Sequence, residues 1–143
     1  MSLEMIVVIA GMTGVISFMA ILLVAKVPKR LNKKKYTQRW RALQSHCKDK
    51  GSWKEAIISA DKLLDRALRQ RKFKGGRPGE RMVSAQRHFS DNDGIWFAHS
   101  LYKKIIASPD MKLKEADVKR ALTNFRQALR DLGALPNGEA KNK

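Results

Sequence analysis

At 143 residues and 16.3 kDa the chain has room for one compact domain and too little for two of ordinary size. Its 30 Lys and Arg against 13 Asp and Glu give a formal net charge of +17 and a pI near 10.4, and its 43% hydrophobic content excludes a disordered low-complexity chain or a collagen-like one. Those averages hide a division: every charge except that of Glu4 lies after residue 25.

Residues 5–25 form an uncharged run of Ile, Val, Leu, Met and Ala, with Thr13 and Ser17 as the main polar interruptions. As a helix rising about 1.5 Å per residue the run is about 30 Å long, the thickness of a bilayer's hydrocarbon core. A cleaved signal peptide and a buried core helix are the competing readings. Against the first, Glu4 stands where a basic n-region belongs and no Ala-x-Ala site follows the run. Against the second, a core helix of this length needs a larger soluble domain to cover it. The expectation is a single N-terminal transmembrane helix over residues 1–27, ended by Pro28.

Lys26, Lys29, Arg30, Lys33, Lys34 and Lys35 crowd the C-terminal flank, and residues 28–35 read as a basic juxtamembrane linker. The positive-inside rule predicts the N-terminus outside and residues 26–143 in the cytoplasm, at the cytoplasmic membrane. The cluster is expected to bind anionic lipid headgroups, at about 1 kcal/mol per Lys or Arg held near the surface. Ala10 and Gly14 form a small-xxx-small pair with Ser17 on the same face, which leaves a homodimer through this helix open.

Residues 36–135 read as an all-α bundle of four to five helices, with no strand pattern and no internal repeat. After Asn32, a cap, Tyr36, Trp40, Leu43 and Cys47 recur on one helical face. Arg39 and Arg41 beside these aromatics offer a second reading, stacking on nucleic acid bases, but the helical period favours a core stripe. Ser52-Trp53-Lys54-Glu55 fits a capping box and opens an amphipathic helix along Trp53, Ala56, Ile57, Ala60, Leu64, Ala67 and Leu68, stopped by Gly75 and Gly76. The glycine-rich stretch from Lys74 to Glu80 lacks the phosphate-loop pattern and reads as a turn from which Pro78 restarts a helix.

A short helix over 79–89 turns Met82, Ala85 and Phe89 inward, and Asp93 is the expected cap of the next, over 95–107. That helix carries Ile95, Trp96, Leu101, Tyr102, Ile105 and Ile106 and ends at Pro109. The last, over 114–132, aligns Val118, Leu122, Phe125, Leu129 and Leu132 and closes with Gly133 at C′. The tail over 136–143 has nothing to bury and is expected to be disordered.

Little points to chemistry. Cys47 is the only cysteine, and His46, His88 and His99 have no zinc spacing, so no cofactor and no metal is expected. No nucleophile motif is present, and acids such as Asp65, one turn from Arg69, have ion-pair roles available. Charge is steepest beside the uncharged run, with a net +9 over residues 26–50 and +4 over 51–80. Arg69, Arg71, Lys72, Lys74 and Arg77 are the expected contacts for an acidic partner, which could be lipid, protein or RNA.

Trp53-Lys54-Glu55-Ala56-Ile57, Ala60-Asp61-Lys62-Leu63-Leu64-Asp65, Gly79-Glu80-Arg81, Trp96-Phe97-Ala98-His99 and Ala128-Leu129-Arg130-Asp131-Leu132-Gly133 resemble a set of small helical proteins of candidate-phylum bacteria. These in turn resemble the HEPN superfamily of helical bundles, some of whose members bind or cleave RNA. The resemblance covers about 80 residues. Active members use Arg-x4–6-His, and at the corresponding place this chain has Lys103, Lys104 and Ser108, so the resemblance implies a degenerate motif. Lysine keeps a cation without the planar fork, and serine supplies no imidazole acid or base. Arg81 and His88 match the spacing but fall on another helix. The expected function is therefore a membrane-tethered basic interaction module without catalytic activity, and the alternative is a membrane-anchored RNA-binding or RNA-processing protein of HEPN type.

Overall fold

The computed structural model describes residues 2–26 and 29–138. Among them the chain forms six α-helices and no strand: α1 (Leu3–Lys26), α2 (Lys33–Ser45), α3 (Trp53–Gln70), α4 (Pro78–Ser84), α5 (Asn92–Ala107) and α6 (Glu115–Asp131). Two short 3-10 turns, His46–Lys48 and Lys50–Ser52, join α2 to α3. Pro28 and residues 139–143, on which the helix stop and most of the tail were expected, lie outside the described residues.

The uncharged run is helical throughout, and none of its span Leu3–Val24 is buried; it is long and apolar enough to cross a membrane. Its central hydroxyl is satisfied internally, because Thr13 Oγ1 donates back to the carbonyls of Ile9 at 3.1 Å and Ala10 at 2.9 Å.

Asn32 caps α2 as its sequence position predicts, its side-chain oxygen accepting from the Lys35 N–H at 3.2 Å. The basic segment is thereby divided. Lys33, Lys34 and Lys35 form the first turn of α2 instead of a linker, and Leu31 is already buried in the core. Tyr36, Trp40 and Leu43 face inward, whereas Cys47 is half-buried in the following turn, where burial pushes its thiol up. The Tyr36 hydroxyl donates to Gln70 Oε1 at 2.7 Å and fixes the start of α2 against the end of α3.

The expected capping box at α3 does not form. Ser52 makes no cap bond; Asp49 takes the capping role one turn earlier, accepting from the Gly51 N–H at 3.1 Å. Trp53 is half-buried and donates its indole N–H to the Cys47 carbonyl. Nor do Gly75 and Gly76 end the helix. The Lys72 N–H returns to the Arg69 carbonyl and that of Phe73 to Leu68, the Schellman pattern, with Lys72 held at φ +62° where glycine is usual. The same pattern closes α6 with Gly133 at φ +78°, as its sequence predicts.

Gly75 is needed for a different reason: a Cβ there would meet the Arg81 backbone nitrogen at 2.7 Å. Pro78 opens α4, with the Glu80 carboxylate accepting from the Gly76 and Arg77 N–H groups. The helix expected over 79–89 ends at Ser84; turns carry the rest, and Met82, Ala85 and Phe89 are buried regardless. Asp91, not Asp93, caps α5 by accepting from the Gly94 N–H at 2.9 Å. On α5, Ile95, Leu101 and Ile105 are buried, whereas Ile106 is 54% exposed.

α3 is the central element and packs against α2, α4, α5 and α6, while α5 and α6 make the longest helix–helix seam. Ile57, Leu64 and Leu68 of α3 meet Ile95 of α5 and Phe125 and Leu129 of α6 in one core. Each such side chain, when fully buried, contributes about 1.5–3 kcal/mol.

Candidate functional site

The sequence-predicted basic residues do not form one patch. Lys29 and Arg30 are exposed ahead of α2, Lys33, Lys34 and Lys35 are exposed in its first turn, and Lys26 closes α1. Arg69 pairs with Asp65 one turn earlier at 2.9 Å and stays largely exposed, and Arg71 donates to the Leu132 carbonyl at the end of α6 at 3.2 Å. Lys72, Lys74 and Arg77 are exposed in the turn between α3 and α4. Lys103, Lys104 and Ser108 lie exposed at the C-terminal end of α5 and share no hydrogen bond with a histidine.

Two groupings escape a reading of the sequence alone. The first lies inside the protein. Asp61 and Asp65 sit one turn apart on α3; His99 of α5 meets Asp61 through Nδ1 at 2.7 Å, and Arg81 of α4 donates from Nε to Asp65 at 2.7 Å. Asp61, His99 and Arg81 are all nearly inaccessible. Arg81 Nη1 also donates to the Gly75 carbonyl. The His99 ring stacks on Tyr102 and takes the edge of Trp96. Burial pushes the Asp61 carboxyl above its ordinary value, against the lowering effect of the His99 bond. Burial and the two carboxylates raise the Tyr102 hydroxyl. Asp61, Asp65, Gly79, Arg81, Trp96 and His99, all within the motifs quoted above, thus gather at one junction of α3, α4 and α5. The Asp61–His99 hydrogen bond and the Arg81–Asp65 ion pair tie three helices together, and removing one member of a buried ion pair such as the second typically costs about 3–5 kcal/mol.

The second grouping is open to solvent: a cleft of about 420 Å³ between α2 and α3. Its floor is Ala42, Leu43 and Leu63, and its rim is Arg39 from α2, His46 from the 3-10 turn after it, and Lys62 and Arg66 from α3. No acid lines it, and Arg39, Lys62 and Arg66 join no ion pair among the described residues. The signal was in the sequence, in two registers that match. Positions 39, 42, 43 and 46 on one helix and 59, 62, 63 and 66 on the next share the i, i+3, i+4, i+7 spacing of a single helical face. Recognising them required knowing that α2 and α3 are neighbours. Between them the aromatic stripe resolves as core: Tyr36 is 2% and Trp40 5% exposed, so neither ring offers a platform for bases.

Among the described residues no three His, Cys, Asp or Glu side chains lie close enough to share a metal ion. No family model, curated protein or solved structure matches the chain.

Proposed function

We propose that the chain is a membrane-tethered helical interaction module that binds an acidic partner at the cytoplasmic membrane face and performs no covalent chemistry. The observation that carries this reading is the α2–α3 cleft, an apolar floor edged by Arg39, Lys62 and Arg66, which join no ion pair among the described residues. Such a cleft suits an acidic amphipathic peptide segment, with carboxylates on Arg39, Lys62 and Arg66 and an apolar side chain against Leu43 and Leu63. A nucleic acid would find charge there but no exposed aromatic from the Tyr36–Trp40 stripe.

The tether rests on the length and apolarity of α1, and the orientation on the basic flank that follows it. In this arrangement Lys26, Lys29, Arg30, Lys33, Lys34 and Lys35 meet the headgroups. The non-catalytic reading is supported by Ser108 in place of an imidazole, and by a His99 whose Nδ1 is engaged with Asp61 inside the core. On the resemblance to HEPN bundles, Lys103 and Ser108 stand where active members carry arginine and histidine.

The test uses the full chain in phosphatidylcholine nanodiscs and a fluorescent peptide with a Glu face and a Leu face. Binding is expected to fall steeply from low to physiological salt, and to weaken about tenfold when Arg39→Gln, Lys62→Gln and Arg66→Gln are combined. Unchanged binding by the triple variant overturns the reading, as does RNA cleavage by the unmodified chain that is lost in His99→Ala.

A further inference from the structure

On the opposite flank of α2, against the C-terminal half of α6, lies a smaller cavity of about 160 Å³ walled by Thr37, Trp40, Arg41, Arg126 and Arg130. Trp40 is 5% exposed, and its indole Nε1–H is buried without an acceptor; the Arg130 Nε–H is buried without one as well. Buried donors in folded proteins almost always have partners, and these two, on residues that line one cavity, have none among the described residues. Arg41 and Arg126 are exposed at this site and join no ion pair among the described residues, and no acid lines the cavity.

We propose that this cavity binds a single phosphate group. The donor set is one indole N–H and three guanidinium groups brought together from two helices. Guanidinium forks pair bidentately with oxyanions, and a tetrahedral phosphate offers oxygens in enough directions to meet all four donors, which a planar carboxylate does not. The volume is about half the lower end for drug-sized ligand pockets, near 300 Å³, so the site takes the phosphate and leaves whatever it is esterified to outside. Its residues are distinct from those of the α2–α3 cleft, so the site stands whether or not that cleft binds a peptide.

Two sources share this chemistry: the phosphomonoester headgroup of an anionic lipid, and a free phosphate or small phosphate ester. The first is within reach. Seven Cα-to-Cα steps lead from Lys26 to Lys33, and seven more along α2 to Trp40, so Trp40 lies at most about 36 Å from the end of α1.

The test follows the indole N–H resonances of the full chain in detergent micelles while inorganic phosphate is added at constant ionic strength, with chloride as the balancing anion. The Trp40 signal, assigned by its disappearance in Trp40→Phe, is expected to move saturably while those of Trp53 and Trp96 stay, which also reports that the fold is intact. Arg126→Gln removes an exposed fork outside the core and is expected to weaken phosphate affinity about tenfold, the loss typical of one charge-assisted bond. In nanodiscs doped with phosphatidic acid, a shifted Trp40 without added phosphate supports the site and identifies the lipid as source. A response to soluble phosphate alone supports it with a soluble ester as source. A Trp40 signal that does not move, that moves equally with chloride, or that responds undiminished in Arg126→Gln overturns the proposal, as does a response to RNA where phosphate has none.

Discussion

Lys72 carries a backbone conformation that its side chain opposes. The left-handed region costs an L-residue about 1–2 kcal/mol, and Lys72 is the described non-glycine residue that occupies it, at φ +62°. Lys72→Gly is expected to raise stability by about 1 kcal/mol, and Gly133→Ala, its mirror at the end of α6, to lower it by a similar amount. Urea unfolding followed by tryptophan fluorescence reads both, since all three indoles lie outside α1. Asp61 makes the complementary case for charge. Burial raises its carboxyl above the ordinary 3.8, so between that value and the folded one the native state holds more protons than the unfolded. Its contribution to stability is therefore full below pH 3.8 and is lost as pH rises through the folded value. Asp61→Asn keeps an acceptor for His99 but removes the titration. The stability of the variant relative to the parent is expected to increase as pH is raised through that window; a difference that stays flat would place the ionised carboxylate in a better-solvated setting.

Among the elements, helix termini separate what is locally encoded from what is not. Asn32 and Gly133 act where their types and positions say they should, because one bonds a backbone N–H three residues on and the other supplies a positive φ at the helix end, both local properties. Ser52 satisfies the same rule on paper, yet a 3-10 turn capped by Asp49 has already closed the approach to α3. Asp91→Ala is expected to cost about 1 kcal/mol, and Ser52→Ala and Asp93→Ala close to nothing. Equal losses from Asp91→Ala and Asp93→Ala in thermal unfolding would contradict the observed cap. The lengths of α3 and α4 follow the same logic: α3 stops three residues before Phe73, whose ring packs against the core, and α4 stops once Met82 has reached it.

At the scale of the whole molecule, α1 shares no buried surface with the rest, so the remaining helices carry their own core. A fragment over residues 29–138 is expected to be helical by circular dichroism and to melt cooperatively without the apolar helix. Starting it at Lys35 removes the buried Leu31 and the Asn32 cap, and is expected to cost about 2–4 kcal/mol and to lower the melting temperature visibly. A non-cooperative melt of the longer fragment would mean that the bundle depends on contacts made by α1. The net charge is also a property of this scale: it is distributed so that one side of α2 borders a cleft of unpaired cations and the other a cavity of arginines, with a hydrophobic stripe between them.

The amino-acid sequence by itself determined the apolar first helix, the inward stripes of α2, α3 and α6 and the all-helical class, because periodicity and uncharged length are properties of neighbouring residues. It carried the members of the polar junction as separate motifs, and nothing local said that they meet. Asp61 and His99 are 38 residues apart and Asp65 and Arg81 are 16 apart, so whether each charge is solvated or buried against a partner was decided only when α3, α4 and α5 packed. The two cationic sites have the same origin. A basic residue on a helix reads as solubility until a second helix sets other cations beside it, and that proximity belongs to the tertiary structure alone.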